Sequence, residues 1–143
     1  IRDSAALVSL GGTFSDRQIT GVMERFPNAR AFDCFDNDLA GRIYGLRMMA
    51  LQEGIRMKIS RTDGGIRIEA KGKVLEPDME RPLLAQVARQ LNIRYRMGQW
   101  LPPKAFKDWN DCLLNRPMEP VISQHKEERE QNLSEQRNKG RKI

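Results

Sequence analysis

Histidine occurs once in this chain of 143 residues, at His125, and cysteine only twice, at Cys34 and Cys112. One histidine, set in a polar C-terminal stretch, argues against a Ser-His-Asp arrangement or a His-based zinc site. The two cysteines are far apart and lack the short spacing of metal ligands. Cys34 reads as a core residue and Cys112 as part of a helix or turn near the end of the fold. A cytoplasmic, reduced protein is therefore expected. No apolar run approaches the roughly 20 residues of a membrane span, so no membrane partner is expected. Ile1-Arg-Asp-Ser does not read as the start of a secretory leader. With no initial Met, the sequence reads as a piece of a larger parent protein with other domains. Internal repeats are lacking too.

What is present fits one domain with a core. Charged residues make up 31% and hydrophobic ones 39% of the chain, an ordinary balance for this length. Lys and Arg total 25 against 19 acidic residues, a formal charge of +6, which favours a polyanion such as DNA or RNA. The basic residues are spread along the chain, so charge by itself does not assign a partner.

The pattern organises around residues 30–42, Arg-Ala-Phe-Asp-Cys-Phe-Asp-Asn-Asp-Leu-Ala-Gly-Arg. Residues 30–35 read as a buried strand that stops on Asp36, and Asp38 as the N-cap of a helix from about 39 to 52. Before it, residues 5–10 read as a strand ended by Gly11-Gly12-Thr13, a turn able to offer backbone N–H groups to a phosphate. Ser15 and Gln18 form a capping box for a helix carrying Ile19, Val22, Met23 and Phe26. This alternation of strands and helices predicts an α/β fold with parallel strands.

Residues 55–60 and 66–70 then alternate around Asp63-Gly64, a β-hairpin with one wet face. A helix over about 80–91 with Pro82 in its first turn follows, its stripe being Leu83, Leu84, Val87, Ala88 and Leu91. Residues 93–97 alternate as another strand, 101–103 form a rigid connector, and 107–114 a loop entering a short helix. Tyr95 and Trp100 are expected in the core, with stacking on nucleic-acid bases as the alternative. The division is residues 1–118 as the domain, with the hairpin at about 55–74 inserted in it, and 119–143 as a polar, charged tail that cannot bury a face.

Two acidic groups carry the candidate chemistry. Asp36 and Asp38, one residue apart at a strand end, repel each other unless a cation stands between them, and hard Asp oxygens with few protein ligands suit Mg2+ arriving with phosphate. Lys107-Asp108-Trp109-Asn110-Asp111 adds carboxylates that parallel strands would bring to the same edge. The plain alternative for each is a helix cap. Arg42 and Arg47 on the helix, Arg56, Lys58 and Arg67 on the hairpin, and Lys107 are the candidate nucleic-acid contacts, against solvated faces as the bland reading. An aspartyl nucleophile at Asp36, as in phosphatases, also fits a strand followed by Asp-x-Asp, although Leu39-Ala-Gly departs from that pattern.

The ordered set Val-Ser-Leu-Gly-Gly-Thr, Phe-Asp-Asn-Asp-x-Ala-Gly-Arg and Lys-Asp-Trp-Asn-Asp resembles the Toprim domain, shared by topoisomerases, bacterial-type primases and some nucleases. Its closest likeness is to the branch in primases and mobile-element replication or mobilization proteins. The resemblance covers about residues 5–114. It implies a Toprim-like, mostly parallel sheet flanked by helices with the hairpin inserted, and nucleotidyl or phosphoryl transfer. It also implies Mg2+, or Mn2+ in its place, held by Asp36 and Asp38, with Asp108 and Asp111 at the later acidic positions. The family's acid/base glutamate would precede residue 5, and neither Glu24 nor Glu53 replaces it. These residues are thus expected to bind Mg2+ without turnover. The competing expectation is a non-catalytic nucleic-acid-binding module using the basic hairpin and tail.

Overall fold

The computed structural model describes residues 5–119; His125 and the tail beyond residue 119 lie outside them. Helix α1 spans Asp16–Arg25, α2 Leu39–Gln52, α3 Leu83–Leu91 and α4 Trp109–Leu113. Strand β1 is Phe32–Asp33, β2 Met57–Thr62, β3 Gly65–Ala70, β4 Lys73–Leu75 and β5 Gly98–Gln99. The result is mixed α/β: β1 and β5 form a small parallel sheet, and β2-β3-β4 an antiparallel meander. The expected mostly parallel sheet is thus reduced to two short strands beside a larger antiparallel one.

The helices begin where the caps dictate. Ser15 accepts from the Gln18 amide at 3.4 Å while its own amide donates to Gln18 Oε1 at 2.8 Å, closing the capping box of α1. Phe14, just before it, stacks on Phe35 and packs tilted against Tyr44, with centroids 5.3 and 4.2 Å apart, tying α1 to α2. Helix α3 starts at Leu83 with Pro82 as its N-cap, because the position before a proline disfavours helical backbone and Arg81 cannot continue the turn. It ends at Asn92 in the left-handed region, φ 53°. Lys71 and Lys73 donate to the Leu91 and Gln90 carbonyls at 3.2 and 3.1 Å, placing positive charge at the negative end of α3.

The core lies between α2, α3 and the meander. Leu46 and Met49 meet Ile66, Ile68 and Ala70 of β3 and all five stripe residues of α3, with Met97 closing one end. The hairpin therefore supplies three of the eleven buried core residues, and β4 extends it beyond the two strands its alternation predicted. Lys71 and Gly72, both at positive φ (50° and 71°), make the tight turn into β4.

Two predicted strands differ. Residues 5–10 are irregular, and Leu7 is 97% exposed. An apolar run forms a strand only against an edge that accepts it, and this segment finds no ladder partner among the described residues. Residues 93–97 keep alternate burial, with Ile93 and Tyr95 half-buried and Met97 buried, but they run irregularly until Gly98 pairs with Phe32. Cys34 is exposed rather than in the core, because it shares the outer phase of the chain with Phe32. Trp100 is exposed as well. No helix among the described residues is long and apolar enough to cross a membrane.

Candidate functional site

Asp38 caps α2: its Oδ1 accepts from the Gly41 amide at 2.8 Å, leaving Oδ2 4.0 Å from Lys107 Nζ. Asp108 does the same for α4, Oδ1 accepting from the Asp111 amide at 2.7 Å. Each is a helix cap, as the plain reading of its sequence held, yet each retains a second carboxylate oxygen. Asn37, between the two acids of the first motif, joins the halves. Its amide donates to the Lys107 carbonyl at 2.7 Å, and its side-chain nitrogen donates to the carbonyls of Pro102 at 2.9 Å and Phe106 at 2.8 Å. Segments far apart in the chain thereby share one rim beyond β1.

The electrostatics report the same gathering. Asp36 is exposed, yet partial loss of water, then the charges of Asp38 and Asp108, push its carboxyl above the ordinary aspartate value; Asp111 adds to the rise and Lys107 opposes it. Gly41 explains why the motif runs Ala-Gly at this point. A β-carbon there would lie 2.2 Å from the Asp36 carbonyl oxygen, so the first turn of α2 packs directly on the backbone of Asp36.

Asp33 is the residue that the run of apolar side chains hid. It is 2% exposed, in phase with Ala31 and Phe35 and opposite to Phe32 and Cys34. Its Oδ2 accepts from Gln99 Nε2 at 2.9 Å, across the parallel pair, and its Oδ1 accepts from the Phe35 amide at 3.4 Å. Gly45 of α2 faces it, with room for no side chain: a β-carbon there would come within 2.8 Å of Asp33 Oδ2. Burial raises the Asp33 carboxyl above its ordinary value, and the two hydrogen bonds pull the other way. The alternation of 31, 33 and 35 was the signal that could have found it.

No family of known proteins, no curated protein and no solved structure matches this chain. Among the described residues, no three Asp, Glu, His or Cys side chains close into a ready metal cage. The donor set nonetheless fits a hard cation: carboxylates exposed at Asp36 and half-buried at Asp38, Asp108 and Asp111, repulsion at Asp36, and Lys107 as a partial counter-charge. Mg2+ characteristically takes one or two carboxylates and completes its shell with water and phosphate oxygens, so an open rim suits it better than a closed cage.

The predicted nucleic-acid contacts fare unevenly. Arg47 pairs with Asp16 and lies 5.7 Å from the centre of the Tyr44 ring, and Arg42 donates to the Arg81 carbonyl at 3.1 Å. On the hairpin, Lys58 and Arg67 both pair with Glu69, at 3.9 and 3.6 Å. Arg56 is exposed and has no ion-pair partner among the described residues. Only Lys107 of the six stands at the acidic rim. Gly11 and Gly12, at φ 68° and 89°, form an exposed turn with open space around them.

Proposed function

We propose that this chain is a Mg2+-dependent nucleic-acid domain of Toprim type, related to those of primases or mobile-element replication and mobilization proteins. DNA or RNA would be its partner and the cytoplasm its place of action. One observation carries the reading: Asp36, Asp38, Asp108 and Asp111 gather with Lys107 at a rim that Asn37 stitches together. The likeness of the motifs to the family supports it from the sequence side.

In this reading Asp36 and the second oxygen of Asp38 hold the ion, with Asp108 and Asp111 adding negative charge nearby. Lys107 meets the phosphate that accompanies it. When bound, Mg2+ supplies neutralisation of phosphate charge and a more reactive attacking oxygen. The expected acid/base glutamate is supplied neither by Glu24, on α1, nor by Glu53, which pairs with Arg96 at 3.5 Å. Ion and phosphate binding is the part of Toprim-type nucleotidyl or phosphoryl transfer that these residues are proposed to carry.

Calorimetric titration with MgCl2 and MnCl2 tests this directly. Binding is expected in the parent chain, lost in Asp36→Asn and Asp38→Asn, and weakened in Asp108→Asn. A parent chain that takes up neither ion, or variants that bind as the parent does, ends the proposal. Retained nucleic-acid binding that is lost only on Arg56→Ala with Lys58→Ala would point to the basic hairpin as the working surface.

A further inference from the structure

The outer face of the parallel pair carries an aromatic patch that the core does not use. Phe32 is 49% and Trp100 66% exposed, and their rings lie 6.4 Å apart at 55°. Gly98, the register partner of Phe32, makes the arrangement: a β-carbon there would stand 2.5 Å from the Phe32 ring, so only glycine lets the ring lie over β5. The Arg30 guanidinium sits 4.9 Å from the centre of the Phe32 ring, with Nε donating to the Arg96 carbonyl at 3.3 Å. At the other side the indole N–H of Trp109 donates to the Trp100 carbonyl at 3.0 Å. Trp109 directly follows Asp108, so the patch adjoins the acidic rim.

We propose that Trp100 and Phe32, with Arg30, form a stacking platform for the bases of a single-stranded nucleic acid whose backbone runs to the acidic rim. The inference rests on reading that rim as a phosphate-handling centre. Three features favour this occupant over an apolar protein segment. The exposed groups are flat rings, which stack on any unpaired base. The Arg30 guanidinium lies over the Phe32 ring, where a backbone phosphate would complement it, and Trp100 presents the open ring face. An ion held at the rim would complete its shell with water and phosphate oxygens, which a nucleic-acid backbone carries. A duplex keeps its base faces stacked within itself, so the platform selects single strands.

Fluorescence anisotropy with a short labelled oligothymidylate, run in EDTA and again in Mg2+, decides it. Trp100→Ala is expected to weaken binding about 5- to 100-fold, and Phe32→Ala by the lower part of that range. Trp100→Phe should restore most of the affinity, and Arg30→Ala should flatten the salt dependence by about one. A duplex of equal length should bind more weakly. In a Trp109→Phe background the oligonucleotide should quench Trp100 fluorescence. Unchanged affinity in both Trp100→Ala and Phe32→Ala overturns the proposal. So does a parent dimer that Trp100→Ala dissociates without loss of oligonucleotide binding, which would assign the patch to a second copy. The EDTA arm separates the two readings. If Trp100→Ala weakens binding while no ion is taken up, the platform stands and the metal reading falls. Ion uptake with no effect of either Trp100→Ala or Phe32→Ala gives the reverse.

Discussion

Gly41 holds a position at which one methyl group would displace the rim. Its α-carbon packs on the backbone of Asp36, which, unlike a flexible side chain, cannot swing aside. Gly41→Ala is expected to destabilise the chain by about 1–3 kcal/mol, the usual cost of overpacking, and to weaken ion binding as it shifts Asp36 from Asp38. Chemical denaturation and ion titration of that one variant measure both effects. Asn37→Ala acts differently. It removes the side-chain bonds to the Pro102 and Phe106 carbonyls, each worth about 0.5–1.5 kcal/mol, and should loosen the 102–108 segment in hydrogen exchange while α2 and α3 keep their protection. Asp33 sets a pH dependence. Its folded-state carboxyl lies above the ordinary value of 3.8, so its contribution to stability is complete below about that pH and is lost as pH rises through the raised value. Asp33→Asn keeps the shape and removes the buried charge. The variant's thermal midpoint relative to the parent should therefore rise with pH across that window; a constant difference would contradict the assignment.

At the scale of elements, α3 supplies five of the eleven buried core residues. Leu84 and Val87 are sealed between α2 and β3, and Leu84→Ala should cost about 2–5 kcal/mol in chemical denaturation. Helices were the legible part of the sequence. Ser15 with Gln18, Asp38 and Asp108 announce their caps through hydrogen bonds made within one turn, and a stripe such as 83, 84, 87, 88 and 91 already implies a buried face. Strands were less legible, because alternation records which side chains are buried but not whether a neighbouring edge exists. Residues 93–97 bury every second side chain without pairing, and β4 is too short to display a period at all. The inner phase of β1 was misread for a related reason: Asp33 does not look like a core residue until Gln99 is seen beside it.

On the scale of the whole molecule, the candidate site is shared unequally between near and distant parts of the chain. The acidic motif at 36–38 is visible as a local pattern, but its meeting with Asp108 depends on the β1-β5 pairing and on the Asn37 bonds, and neither can be read locally. The basic residues illustrate the converse. Counted along the sequence they suggest a charged hairpin, yet in space Lys58 and Arg67 share Glu69, while Lys71 and Lys73 are spent on the end of α3. Net charge thus overstates what the hairpin offers a polyanion.

The Asn37 stitch also bears on how the chain comes into being. A ribosome releases residues 36–38 long before Lys107 and Asp111, so a nascent chain carries half a rim and nothing to close it. The proposed capture of an ion through both halves would therefore wait until α4, the last helix among the described residues, has docked.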